Sequence, residues 1–210
     1  MKLYFFPVAP NPTRVRLYLA EKRAGGAAIE VGQELVDLAS GAQRGADHLA
    51  RNPLGKVPVL ELDDGSFLTE SLAIMQYLEE LHPEPVLIGR SPEERARVLE
   101  LERIAELAVL APIARVVHAT KSPLGLPASP EIAAHARAAL PDGLAALEAR
   151  LAHGHAFLAG ESPTIADCTL AAALQFARFG GVELPGGLPA LRRWDRTYRE
   201  RPPARGVLLL

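Results

Sequence analysis

Cysteine is almost absent. Cys168 stands alone among 210 residues, so the chain can form no internal disulfide and no cysteine-based zinc site. It lies in TIADCTLAAAL, where a buried inert thiol fits better than a reactive one, which needs an electropositive and accessible setting. No uninterrupted apolar stretch approaches the ~18 residues of a membrane helix, and the closing GVLLL is far too short. Neither charge sign dominates. The 23 Lys and Arg face 25 Asp and Glu, a net −2 that argues against nucleic-acid or anionic-membrane partners. The opening MKLYFFPVAP has the charge and apolar core of a leader, but Pro7, Pro10 and Pro12 break that core, and Arg14 and Arg16 stand where cleavage would fall. A cytoplasmic protein is the expectation. Also lacking are a GxGxxG after a strand, a P-loop, GxSxG and HExxH. The six histidines form no ligand set, and His153 and His155 in a polar turn read as solvated, so no metal is expected.

What is present is an ordinary globular composition, 49% hydrophobic and 23% charged, whose patterning changes near residue 82. Before it, short apolar runs alternate with helical patterns. Lys2–Phe6 reads as a strand, Pro12–Ala24 as a helix, Ala28–Val31 as a second strand and Val57–Leu62 as a third. The Asp64–Gly65 pair then turns the chain into Ser66–Leu68. Ile74, Tyr77, Leu78 and Leu81 are spaced i, i+3, i+4, i+7, one face of an amphipathic helix over 71–81. Residues 82–91, with prolines and a glycine, read as a linker. Ser91, Pro92 and Glu94 make a capping box for a long helix to about Thr120, kinked by Pro112. Further helices follow over 131–152 (bent at Pro141), 164–179 and 188–201. The fold class is therefore a small α/β sheet domain, residues 1–81, followed by an all-α helical domain, residues 92–210.

Two local features could bind a ligand. In NPLGKVPVL, Pro58 stands inside an apolar strand where it cannot donate to a ladder. A cis bond there would turn the main chain of Val57 outward as an edge that pairs with an extended peptide; a trans proline on an unoccupied edge strand is the alternative. The second feature is Thr69-Glu70-Ser71 at a helix start. The helix N-terminus and the Ser71 hydroxyl could take a carboxylate while Glu70 pairs with an ammonium, together holding an α-amino-acid zwitterion. Simple capping by Thr69 explains the same residues.

The blocks LYFFPVAPNPTRVRLYLAEK, NPLGKVPVLELDDGSFLTESLAIMQYLEE, FLAGESPTIADCTL and LPALRRWDRTYRERP resemble the cytosolic glutathione transferases, bacterial members above all, over essentially the whole chain. The resemblance implies a thioredoxin-like N-terminal domain, an all-helical C-terminal domain, glutathione as co-substrate and a homodimer with active sites near the dimer cleft. It assigns Glu70 and Ser71 to the γ-glutamyl end of glutathione, Val57 to backbone pairing with the cysteinyl unit, and Pro58 as a cis-proline. Gln43 and Lys56 fall toward the glycine carboxylate. Thr164 and Asp167 match an N-cap motif that serves folding.

One position departs from the family pattern. Where serine-type relatives carry the hydroxyl that stabilises the thiolate, this chain has Ala9, which cannot donate. Asn11 and Thr13 remain as donors beside the N-terminus of the first helix, although Asn11 before Pro12 is also a good N-cap. Moving a thiol from about pKa 8.5 to mostly thiolate at neutral pH takes about one to two units at ~1.4 kcal/mol each. One charge-assisted hydrogen bond supplies that. Ala9, Arg115 and His118 are expected to border the pocket for a small-molecule electrophile. The expected reaction is addition of the glutathione thiolate to that electrophile. Rival readings are glutathione-dependent peroxide or disulfide reduction, and a non-catalytic glutathione-binding or regulatory protein, which Ala9 keeps open.

Overall fold

The computed structural model describes residues 1–210. Its first part holds β1 (Lys2–Phe5), α1 (Pro10–Ala24), β2 (Gly32–Leu35), a 3₁₀ turn (Ala42–Arg44), α2 (Ala46–Arg51), β3 (Val59–Glu61), β4 (Phe67–Thr69) and α3 (Ser71–Leu81). The strands form one sheet ordered β2-β1-β3-β4, with β1 parallel to β2 and β3 antiparallel to both β1 and β4. Alternation along the strands separates two faces. Leu3 and its cross-strand partner Leu60 join the main core with Tyr18, Ile74 and Leu78, while Tyr4 and Val59 pack with Val36 in a smaller cluster on the other face.

Helices fill the rest: α4 (Pro92–Ile104), α5 (Ala111–Lys121), α6 (Pro130–Ala138), α7 (Leu140–Ala152), α8 (Ile165–Gly180), α9 (Pro189–Glu200) and the short α10 (Pro202–Arg205). Ser91 and Glu94 form the reciprocal capping box at the start of α4. Residues 165–177 of α8 are buried without interruption, the mark of a helix surrounded on all sides. It packs against α1, α4 and α5, so one continuous apolar core joins the sheet part to the helical part.

Several elements differ from the sequence reading, each for a physical reason. The second strand is not 28–31. Ile29 and Val31 there are buried by packing, and the ladder with β1 is made instead by Gly32–Leu35, whose edge position suits its polar Gln33 and Glu34. The third strand starts at Val59, because Pro58 has no N–H to give. Pro112 does not simply kink the long helix: a π-helical turn, Ala105–Leu110, precedes it, with the Ala111 N–H donating to the Glu106 carbonyl. That turn meets α7 closely, since a Cβ on Gly143 would lie 2.6 Å from the Ala108 carbonyl oxygen.

The segment between α3 and α4 is fastened rather than loose. The fully buried Lys22 ammonium donates to the carbonyls of His82 and Pro85, each at 2.6 Å, and pairs with Glu79 at 2.7 Å. Glu79 also accepts from the Tyr18 hydroxyl and the Leu87 N–H, both at 2.8 Å.

Candidate active site

Three segments of the sheet part converge on a small cavity of about 60 Å³ lined by Asn11, Asn52, Lys56, Val57, Pro58, Glu70 and Ser71. Six of these seven are residues singled out from the sequence; Asn52 is the addition. A cavity that size holds about two water molecules, room for a carboxylate or ammonium head but not for a whole peptide. A larger cavity of about 730 Å³ lies elsewhere, along the 85–90 segment and the start of α4. Its arginines (90, 97, 150 and 201) are matched by glutamates (21, 93, 94 and 161).

The wall formed by 52–58 is built by hydrogen bonds. The Lys56 carbonyl accepts from Asn52 Nδ2 at 2.9 Å and His48 Nε2 at 3.0 Å, while Asn52 Oδ1 accepts the Leu54 N–H at 3.0 Å. His48 and Asn52 are both buried. The Val57–Pro58 bond is cis. The main-chain N–H and C=O of Val57 have no partner in the protein, so they remain available to an extended ligand.

The opposite wall is the start of α3. Glu70, its N-cap, has φ +65, and Val8, just before α1, has φ +71. These are the only two non-glycine residues with positive φ in the chain; Glu70 lines the cavity, and Val8 lies three residues before Asn11, which also lines it. Backbone held in that region accompanies function more often than chance. The Ser71 side chain is buried; its oxygen accepts from Arg14 Nε at 2.8 Å, and its hydroxyl lies 3.5 Å from Asn11 Oδ1.

Arg14 is itself 2% exposed and reaches across to the helical part. Its Nη1 donates to Glu102 Oε1 at 2.8 Å and also to Glu106, while Thr169 on α8 donates to Glu102 Oε1 at 3.1 Å. Burial raises the Glu102 carboxyl above its ordinary value against the pull of Arg14. Burial also pushes Glu106 upward, but hydrogen bonding and charge from Arg14 and Arg103 outweigh it and hold that carboxyl below its ordinary value.

The start of α1 differs from expectation. The helix begins at Pro10 with Ala9 as N-cap and no side-chain cap, so Asn11 is its second residue and not its cap. Pro10 and Pro12 carry no N–H, and the Thr13 N–H already donates to the Ala9 carbonyl at 3.1 Å. The helix N-terminus therefore offers one free main-chain donor, that of Asn11, together with the Asn11 Nδ2 group, which has no partner in the protein. Thr13 is corrected as a site donor. It is fully buried, and its hydroxyl donates to the Ala9 carbonyl at 2.9 Å.

The remaining candidates lie off the cavity. Gln43 is buried, with its Oε1 unpartnered, and does not line it. Arg115 is exposed without an ion-pair partner. His118 is half-buried, its imidazole lowered from the ordinary value by burial, with Nδ1 3.1 Å from Ser122 Oγ and its ring 6.1 Å from that of Phe176. The Tyr4 hydroxyl donates to Glu61 at 2.6 Å. Cys168 is fully buried, and burial raises its thiol well above the usual value. His155 meets Glu161 at 3.3 Å on the surface.

Sequence reasoning missed Arg14, His48, Asn52 and Glu102. A signal existed for the first: Arg14, Glu21 and Lys22 fall at i, i+7 and i+8, on the stripe that also carries Leu17 and Tyr18. Charges on an apolar stripe are buried and partnered, or the helix does not pack.

A family model described as glutathione S-transferase, N-terminal domain, matches residues 3–86, and one described as glutathione S-transferase, C-terminal domain, matches residues 105–194. The chain is 33% identical over 217 residues to glutathione S-transferase 2 of Saccharomyces cerevisiae, covering 99% of this chain and 89% of that protein. It superimposes with a TM-score of 0.87 and 37% identity on a glutathione S-transferase domain-containing protein of Marinobacter aquaeolei, covering 97% of this chain and 100% of that one. A Methylobacillus flagellatus glutathione S-transferase solved with GSH bound gives a TM-score of 0.83 at 25% identity, covering 100% and 99%. No helix is long and apolar enough to cross a membrane.

Proposed function

The chain belongs to the glutathione S-transferase family, and from that premise we propose that it binds glutathione in the Asn11–Val57–Ser71 cavity and adds the glutathione thiolate to a small apolar electrophile. The observation that carries this reading is the convergence of Asn11, Lys56, Val57, Pro58, Glu70 and Ser71 on one cavity beside an unpaired backbone edge. In this reading Ser71 and the first turn of α3 take the γ-glutamyl carboxylate and Glu70 takes its ammonium. The Val57 main chain pairs with the cysteinyl unit, and the exposed Lys56 ammonium faces the glycine carboxylate. The thiol then lies toward α1, where the N–H and Nδ2 of Asn11 stabilise the thiolate. Ala9 leaves the approach to the sulfur uncluttered. Arg115 and His118 border the electrophile. Catalysis is orientation plus stabilisation of the anion, with no metal and no covalent intermediate on the protein.

The protein acts in this reading as a cytoplasmic homodimer. Exposed Leu54, in the loop beside the cavity, and Phe67, on the edge strand β4, are apolar side chains that a second copy would cover.

The test is calorimetric titration of glutathione at pH 7 into the wild type and Ser71→Ala, followed by the ultraviolet thiolate band of the complex. Saturable binding that weakens in the variant, with a thiolate band, supports the reading. Absence of binding up to several millimolar refutes it. With an electrophile supplied, a thioether product supports conjugation, whereas oxidised glutathione formed from a peroxide indicates reduction.

A further inference from the structure

The geometry points to Arg14 as a positioning residue that fixes Ser71 as a hydrogen-bond donor to the ligand carboxylate and ties that orientation to the helical domain. The inference rests on the reading of Ser71 as a glutathione contact. A serine hydroxyl donates one hydrogen bond and accepts up to two, and rotates to suit its surroundings. Here rotation is not free. Arg14 Nε donates to Ser71 Oγ at 2.8 Å, so the oxygen faces Arg14 with a lone pair and its hydrogen must point elsewhere. The one internal acceptor, Asn11 Oδ1, is 3.5 Å away, at the limit of a hydrogen bond. A carboxylate entering the cavity offers a shorter and charged acceptor, so the hydroxyl turns to it without breaking any strong bond.

Arg14 is held for this task from the other domain. Its guanidinium is a planar fork, and with Nη1 fixed on Glu102 and Glu106 the Nε–H is aimed by geometry at Ser71. Glu102 is in turn anchored by Thr169 of α8. Glu102 and Glu106 neutralise Arg14, with Arg103 also paired to both carboxylates, and none of these side chains lines the cavity, so Arg14 supplies direction and not net charge to the ligand.

The test is a double-mutant cycle on glutathione affinity. Arg14→Lys keeps the charge near Glu102 and Glu106 but has no N–H along its stem to reach Ser71. It is expected to weaken glutathione binding about ten-fold, the size of one oriented charge-assisted hydrogen bond. Turnover at saturating glutathione is expected to stay within about two-fold, because Ser71 acts on the carboxylate and not on the sulfur. In a Ser71→Ala background, Arg14→Lys should cost nothing further. Should Arg14→Lys fold poorly, Glu102→Gln relaxes the far anchor and is expected to give a smaller loss that likewise vanishes in Ser71→Ala. Equal losses with and without Ser71 would make Arg14 a packing residue only and overturn the inference. If Ser71→Ala alone leaves affinity unchanged, the failure lies instead with the reading of the site.

Discussion

Replacing Lys22 with methionine tests whether the segment joining the two parts is held by a buried charge. The ammonium is fully buried, donating to the carbonyls of His82 and Pro85 at 2.6 Å each and paired with the Glu79 carboxylate at 2.7 Å. Methionine fills much of the same volume, so the cavity cost is small and the electrostatic cost dominates. Glu79 would keep the Tyr18 hydroxyl and the Leu87 N–H but lose its counter-charge. Breaking one side of a buried pair costs about 3–5 kcal/mol, and the two orphaned carbonyls add to it without full additivity. A loss of about 4 kcal/mol corresponds to a fall of about 8–16 °C in Tm for a chain of this length. Urea unfolding of Lys22→Met, Glu79→Gln and the double variant, at one fixed protein concentration, measures it. The double variant carries no uncompensated charge and is expected to recover at least half of the loss. A Lys22→Met loss under about 1 kcal/mol, or a double variant no better than the single, would refute the reasoning.

Asn11→Ala is expected to cut kcat by about 10- to 100-fold, the worth of one charge-assisted hydrogen bond to a thiolate, and to move the bound thiol's titration to higher pH. Glutathione affinity should change by less than about two-fold; parallel losses in affinity and turnover would show instead a disordered site. Asp167 predicts a pH dependence of stability. Burial pushes its carboxyl up to about 6, despite hydrogen bonds accepted from Leu158 N–H, Thr164 N–H and the Thr164 hydroxyl. Because the folded state then binds the proton more tightly than the unfolded state, the stability this group contributes is complete below the ordinary carboxyl value of 3.8 and lost as pH rises from there through about 6. The cost of Asp167→Asn, measured by urea unfolding, should therefore be largest below about pH 4 and shrink by up to about 3 kcal/mol by neutral pH; a cost that grows with pH would show that the three donors outweigh burial.

Much of the fold was legible because it rests on local rules. The capping box at Ser91, the cap at Thr164 with Asp167, the Asp64–Gly65 turn and the 3.6-residue periodicity of α3 each use residues close in sequence. What was misplaced depends on partners far along the chain. Residues 28–31 carry as good a strand pattern as 32–35, and only pairing with β1 decides between them. The π-helical turn stands just before Pro112, and sequence alone gives no sign of whether a proline will kink a helix or sit beside a widened turn.

The site divides along the same line. Val57, Pro58, Glu70 and Ser71 were found because each marks a local backbone exception, a proline in a strand or a helix start. The residues that set their geometry were missed, because their roles exist only through contacts 57 to 92 residues away in the case of Arg14. Arg14 and Lys22 nonetheless belong to one pattern. Both are buried cations on α1, eight residues apart, and each is neutralised from outside the helix. One fastens α1 to α4 and to the start of α3; the other fastens it to α3 and to the segment that follows. Packing alone would let α1 slide by a fraction of an ångström at little cost, because apolar contacts have no direction. Two partnered charges deny that freedom, since a shift would break bonds in an interior where nothing replaces them. The helix that carries Asn11 to the cavity and Arg14 to Ser71 is thus held in register with both domains by the residues that looked least suited to a core.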